Sequence, residues 1–560
     1  MPGPTASWAR SFSAPSTDAG PPMDCDILIR GGTVYDGTGA PGRPADVAVG
    51  QGRIIAVEPG ISARATRVID ASGMAVAPGF IDIKTHSDFT LPINPRAESK
   101  LRQGVTTEII GHCGFSVAPC LPGKVQLLAD YLNPSAPWLP FREMGFAEYL
   151  DSFPPTSVNA GMLVGHNTLR LMVMGMAQRA PSEDELQAMI ALLDEGLAAG
   201  ALGLSSGLFT SPGSYAQPDE LLALARRLES AHAAYFTHLR DESNGVLTAL
   251  DEAIEIGRAC RIHVQVVHFE CSGLDNWGQT QTALTRMQAA RDQGIDIDCD
   301  AYPYTAGSNP LKNILPQWVQ AGGVEAMLER LQQPETRARI REEVARDGLN
   351  NWGRVESWDA VRISITPRQP EHAGKTIAAL AAERSLDPVD ALCDFLVADR
   401  GATRVLVTSI SEEDVRTLIR SDSALVGSDG NCVADYGVVS QGMPHPRFYG
   451  TFPRVLGRYV HRERVTSLEH AIFKMTGATA RALRLRDRGF LKPGLAADIT
   501  LFEPQVFLDL STYETPHRYP AGERTTVIVN GEVVIDHARH TGALPGRVLR
   551  RDRTGAVALS

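Results

Sequence analysis

Residues 234–270 read AYFTHLRDESNGVLTALDEAIEIGRACRIHVQVVHFE. Ala234–His238 is a short apolar run that closes on a histidine, and His263–His268 is a second run that does the same. Between them, Leu247–Cys260 spaces its apolar residues as a helix does. Strand, helix and strand in so short a span make a repeating unit, and the pattern extends outward in both directions. Ala77–Lys84, Val105–Ile110, Val158–Gly165, Gly200–Ser205, Ile295–Ala301 and Ser423–Ser428 are further runs of this kind. They are nearly continuous in small and aliphatic residues, as parallel strands covered on both faces must be. Glu183–Ala198 and Glu220–Ala231 carry helical spacing between them. Eight such units predict an α/β fold, a (β/α)8 TIM-like barrel over residues 76–485, with an open doubly wound sheet as the alternative on pattern alone.

The rest of the chain is of different texture. Residues 1–23 scatter Pro and Gly among small polar residues and are expected to be disordered, and their lack of an apolar stretch excludes a secretory signal. Residues 24–75 alternate aliphatics around Gly-Gly, Asp-Gly and Gln-Gly turns, and 486–560 repeat that pattern around Asn530-Gly531. Both ends are assigned to one small β-sandwich domain. Residues from about 303 to 422 are too long for one crossover; Val324–Leu331 and Glu335–Arg346 read as helices, so this is an inserted helical lid region.

Composition narrows the function. In 560 residues, 54 basic and 65 acidic side chains leave a net charge of −11, which argues against nucleic acid as a partner. No apolar run is long enough to span a bilayer. Eight cysteines do not make a disulfide framework in so long a chain, so a cytoplasmic protein is expected. A small-molecule enzyme fits this profile; the oligomeric state is not legible.

Barrel enzymes gather their chemistry at the C-terminal ends of the strands. There this chain offers Lys84 and His86, His112-Cys113, His238, His268 with Glu270, and Asp429. A thiolate with two imidazoles suits Zn2+ and leaves a position open for water, and a nearby carboxylate can move the proton. Each residue alone has a plainer reading. His112, His166 and His263 read as structural, Cys113 alone as a small buried hydrophobe, and Asp429 alone as a cap.

The segments IRGGTVYDGTGAPG, APGFID, GVTTEIIGHCGFSVAP, YFTHLRDE, DAYPYTAGS, GSDG, PHPRFYGTFPRVLGRYV, KMTGATAR and RGFLKPGLAADITLF together resemble the N-acyl-D-amino-acid deacylases, or D-aminoacylases, of the amidohydrolase superfamily. The resemblance implies zinc-dependent hydrolysis of an N-acyl-D-amino acid. It implies that Cys113, His238 and His268 hold the metal, with His86 a weaker ligand. Asp429 would be general base and acid, and Tyr302 and Arg447 would contact the substrate's carboxylate. Asn309 and its neighbours are expected to select the side chain. Two positions depart from the family pattern. Lys84 stands where a first-strand histidine is usual, which puts a second metal in doubt because an ammonium has no lone pair. Glu270 stands where relatives often carry a lysine. Lys84 is read either as a fixed cation in the second metal's place or as the partner of a nearby carboxylate, and the two departures together read as one exchanged ion pair, Lys84 with Glu270. The competing readings are cyclic amide or imide opening, dipeptide hydrolysis, and a catalytically silent binding barrel.

Overall fold

The computed structural model describes residues 23–559, apart from the side chain of Leu559; the segment 1–23 expected to be disordered lies outside these residues except for Met23, which opens a strand. The barrel strands are β1 (Phe80–Asp82), β2 (Val105–Ile110), β3 (Asn159–Gly165), β4 (Gly203–Gly207), β5 (Ala234–His238), β6 (Val264–Val266), β7 (Ile297–Ala301) and β8 (Ala424–Val426). Each pairs in parallel with the next. The ring closes just beyond β1 and β8, where Thr85 bridges Gly430 in parallel and the Asp429 N–H donates to the Lys84 carbonyl at 2.8 Å. Every residue of β2 and β3 is buried, including the polar Thr106, Thr107, Glu108 and Asn159 among their apolar neighbours.

The helices between strands end where sequence chemistry ends them. Glu183–Ala199 begins with a capping box: the Ser182 hydroxyl accepts from the Glu185 N–H, and the Glu185 carboxylate accepts from the Ser182 N–H at 2.7 Å. It stops at Gly200, whose φ of 104° few other residues tolerate.

The two ends of the chain meet in one nine-stranded sheet. Ala75–Pro78 pairs antiparallel with Ile499–Phe502, joining the strands from Met23 onward to those that end at His540. Ile27, Ile29, Val47, Val76, Ile499 and Ile528 fill the core of this sandwich. The last strands leave it. Val548–Arg551 runs parallel beside the lower half of β3, with Val548 opposite Ala160, while the upper half of β3 pairs with β4. Of the segment 486–560 assigned to the sandwich, this final part is therefore built into the barrel.

The insertion after β7 differs from its sequence reading in one respect. Besides the helices Val324–Leu331, Pro334–Asp347, Ile377–Arg384 and Pro388–Ala398, it contains a three-stranded antiparallel sheet of Ala306–Pro310, Arg404–Thr408 and Val361–Ile365. The edge strand reads AGSNP. It has no alternating aliphatics and ends in a proline that only an edge accommodates, so no strand signal precedes it in the sequence. A separate apolar core, including Leu328, Ile340, Leu392, Phe395 and Val405, holds this unit together.

Candidate active site and metal-ligand cluster

Three residues from three strand ends converge at the C-terminal mouth of the barrel. His238 Nδ1 and His268 Nε2 are 2.8 Å apart, and Cys113 Sγ lies 3.8 Å from the first and 3.3 Å from the second. Cys113 follows β2, His238 ends β5 and His268 follows β6. All three are buried. Burial pushes the Cys113 thiol up to about 12, holds His268 down to about 4 and lowers His238 well below the usual imidazole range. Two neutral imidazoles with free lone pairs, beside a thiol that lacks only a cation to offset its charge, are a donor set for a soft divalent metal such as zinc.

The backbone at the site is itself unusual. Cys113, His268 and Asp429 all have positive φ, at 55°, 35° and 48°. Such conformations cost a non-glycine residue about 1–3 kcal/mol and persist where the surroundings fix them. Gly114 continues the turn at φ 76°, and a Cβ there would lie 2.1 Å from Asn167 Oδ1. The turn thus swings the thiol toward the two imidazoles.

The outer nitrogens of both histidines face one acid that the sequence reading left without a role. Glu242 Oε2 lies 3.1 Å from His238 Nε2, and Glu242 Oε1 lies 3.1 Å from His268 Nδ1. Asn351, from the insertion, donates to Glu242 Oε2 at 2.9 Å and accepts from the Glu242 N–H at 2.9 Å. A carboxylate on the far side of each imidazole fixes the tautomer that leaves the inner nitrogen free for a metal. The i,i+4 spacing of His238 and Glu242 was visible in the sequence; the contact with His268 was not.

Asp429 sits between two cations. Lys84 Nζ donates to Asp429 Oδ1, and Arg447 Nη2 lies 2.6 Å from Asp429 Oδ2. Burial alone would raise the Asp429 carboxyl, but Arg447 and Lys84 hold it well below the usual carboxylate range. The loop is tied down from beneath. Buried Lys100 donates to Asp82 Oδ2 at 2.8 Å and to Ser428 Oγ at 2.6 Å, and the Ser428 N–H donates to Asp82 Oδ1 at 2.8 Å. Arg447 opens the helix Arg447–Arg454, is 2% exposed, and keeps its Nε and Nη1 without partners. Its guanidinium lies over the Tyr302 ring, 4.6 Å from the centroid.

Lys84 is fully buried, with Nζ 2.9 Å from His86 Nε2. Its ammonium therefore stands between His86 and Asp429, and burial together with Lys84's charge lowers His86 to about 3. His86 is not among the three converging donors. These residues do not fit a second metal ion, because a cation already fills the space and one donor is spent on it.

The exchanged ion pair of Lys84 with Glu270 does not form. Lys84 pairs with Asp429 instead, and Glu270 is held by neutral groups: the Tyr302 hydroxyl at 2.5 Å and the Ser272 hydroxyl at 2.9 Å. Burial, with Glu242 nearby, raises Glu270 to about 8. Two donated hydroxyl hydrogen bonds stand where the salt bridge was expected. Asn309 lines the cavity at the barrel mouth that Cys113, His268, Glu270 and Asp429 also line, its Oδ1 accepting from Asn313 at 2.6 Å. His112, next to Cys113 in the chain, packs edge-on to Phe236, His166 contacts Glu220 at 2.7 Å and His263 contacts Asp296 at 2.9 Å; none is among the three converging donors.

Fold and site define a (β/α)8 barrel with a thiol–imidazole metal-ligand set at its mouth. Residues 67–535 match the amidohydrolase family model. The chain belongs to the amidohydrolase family. It is 35% identical to the D-aminoacylase of Alcaligenes xylosoxydans xylosoxydans, over 94% of this chain and 98% of that one. It is 36% identical to the N-acyl-D-aspartate deacylase of the same organism, over 94% and 95% of the two chains. Among solved structures, the N-acyl-D-glutamate deacylase of Bordetella bronchiseptica, complexed with zinc and a phosphonate mimic of the tetrahedral intermediate, superimposes with a TM-score of 0.79 at 33% identity. That match covers 94% of this chain and all of the other.

Proposed function

We propose that this protein is a zinc-dependent deacylase that hydrolyses the amide bond of N-acyl-D-amino acids, releasing a carboxylate and a D-amino acid. The observation that carries the reading is the convergence of Cys113 Sγ, His238 Nδ1 and His268 Nε2 beside Asp429. Cys113, His238 and His268 would hold one zinc ion, with Glu242 fixing both imidazoles. Bound there, zinc supplies Lewis acidity, polarising the amide carbonyl and making water a nucleophile near neutral pH. Asp429, steered by Lys84 and Arg447, takes the proton from the attacking water and gives it to the leaving amine. The free N–H groups of Arg447 receive the substrate's carboxylate. Tyr302 stands beside that place, its ring under the Arg447 guanidinium and its hydroxyl donating to Glu270 at 2.5 Å.

The barrel, 76–485 with its insertion at about 303–422, carries the chemistry in this reading. The substrate is a small molecule. Among the described residues no helix is long and apolar enough to cross a membrane. All eight cysteines are free and buried, which suits a reducing cytoplasm.

The test is a substrate panel on zinc-loaded protein: N-acetyl-D- and N-acetyl-L-amino acids, hydantoins and dipeptides, with metal content measured in parallel. Release of D-amino acid at one zinc per chain is expected. Turnover confined to hydantoins or dipeptides, or full activity without metal, would overturn the reading.

A further inference from the structure

The family relatives above act on different side chains at nearly equal identity, so likeness does not say which side chain this enzyme takes. The charges in the cavity do. Fully buried arginines elsewhere have acids, Arg170 with Glu220 and Arg488 with Asp498, whereas half-buried Arg330 and Arg551 reach only backbone carbonyls. Arg404 also lacks an acid, but it faces the site. It is half-buried in the wall of the same cavity as Cys113, His268, Asp429 and Arg447. Its Nη1 donates to Ser135 Oγ at 2.6 Å, and its Nη2 lies 3.4 Å from Ser308 Oγ and 3.5 Å from the Ser308 carbonyl. All of these partners are neutral. Of the acids, only Asp429 influences it, and that carboxylate is already bound by Lys84 and Arg447.

The hydroxyls of Ser135 and Ser308 come from separate segments, one before β3 and one in the inserted sheet, so the guanidinium is held in place rather than left to sweep the solvent. Two guanidinium groups thus line one cavity. Arg447 shares Asp429 and keeps two N–H groups free; Arg404 has no acid at all. Burial and repulsion from Arg447 act in the same direction on Arg404, holding it down to about 10. Two like charges in one partly dry space repel, and a ligand carrying two separated negative charges relieves both. An N-acyl-amino acid brings one carboxylate, for Arg447. A second one comes from an acidic side chain.

We propose that Arg404 binds the side-chain carboxylate of the substrate, so that this enzyme prefers N-acyl derivatives of acidic D-amino acids. The assignment rests on the deacylase reading and adds the substrate class to it. Arg suits the role because its planar fork matches both oxygens of a carboxylate, and an amide of the same shape is rejected where a charge is expected.

The experiment uses full-length zinc-loaded protein with N-acetyl-D-glutamate, N-acetyl-D-aspartate, N-acetyl-D-glutamine and N-acetyl-D-leucine. For wild type, kcat/KM for the glutamate derivative should exceed that for its glutamine isostere by about 10- to 100-fold. Arg404→Gln should remove most of that preference through KM, leaving the neutral substrates nearly unchanged, and Arg404→Lys should restore part of it. Thermal unfolding of each variant separates loss of recognition from loss of fold. Wild type preferring neutral substrates, or R404Q slowing all substrates alike, would overturn the assignment. Calorimetric binding of D-glutamate and D-glutamine to wild type and R404Q tests the same contact without turnover. If no N-acyl substrate is hydrolysed but D-glutamate binds and R404Q abolishes that binding, the anion site stands and the deacylase reading falls. If D-glutamate and D-glutamine bind R404Q and wild type equally, the anion site falls.

Discussion

Glu242→Gln changes one oxygen for an NH2 group and leaves the shape of the side chain alone. In the protein, Glu242 Oε2 accepts from Asn351 Nδ2 at 2.9 Å and faces His238 Nε2 at 3.1 Å, while Oε1 faces only His268 Nδ1, also at 3.1 Å. A glutamine must turn its single oxygen toward the two donors, so its NH2 group confronts His268 Nδ1. Two N–H groups cannot share a bond. His268 then carries its proton on Nε2, the nitrogen that points at Cys113 Sγ and His238 Nδ1. That nitrogen loses the lone pair a metal needs. Removing an outer carboxylate of this kind lowers metal affinity about 10- to 100-fold, equivalent to ~1.4–2.7 kcal/mol. The assay is competition between protein and a zinc chelator near pH 7, with Glu242→Asp as the variant that keeps the charge. A folded E242Q protein that holds zinc as tightly as wild type would refute the tautomer argument.

Asp429→Asn should lower kcat by about 100- to 10,000-fold, the usual worth of a positioned acid–base group, with zinc content unchanged; near-normal turnover would remove Asp429 from proton transfer. Wild type should take up one zinc per chain even in excess metal, whereas Lys84→His should raise the stoichiometry toward two; equal stoichiometry in both proteins would show that Lys84 is not what excludes the second ion. Lys474, 2% exposed, donates to the carbonyls of Leu418 and Ile419, and burial lowers it to about 7. Between that value and the ordinary lysine range the unfolded chain binds more protons than the folded one, so stability rises with pH across this window. Lys474→Met should flatten that rise by up to about 1.4 kcal/mol per pH unit in unfolding experiments above pH 7; parallel curves would show that Lys474 does not titrate this way.

The barrel was legible because both faces of its strands are covered, which fills most of them with small and apolar residues, and because candidate ligands fall at strand ends. Strand-end position offered Cys113, His238, His268 and Asp429 among other candidates, and the family resemblance assigned their roles. What stayed hidden depends on pairing across long separations. Lys84 and Asp429 lie 345 residues apart, and nothing in either neighbourhood marks one as the partner of the other. Arg404 sits in a strand of a unit that reads as helical, on the neighbour of an edge strand with no strand pattern. Glu242 was inside a quoted motif, yet its role needs two imidazoles to turn the same way. The positive φ values at Cys113, His268 and Asp429 have no sequence signature at all, since none is a glycine.

The charge arrangement around Asp429 also sets which half of the reaction is demanding. Lys84 and Arg447 stabilise its ionised form, so Asp429 is a weak base toward water. The same two cations make its protonated form a strong acid, because the proton then sits between positive charges. In the proposed reaction, proton delivery to the leaving amine is therefore the easier half, and removal of the first proton from water is the step that needs help. A histidine in place of Lys84 could lie neutral beside Asp429 and leave it more basic. A fixed ammonium cannot dissociate as a metal ion can, so in the proposed reaction Lys84 biases Asp429 permanently toward protonating the leaving group.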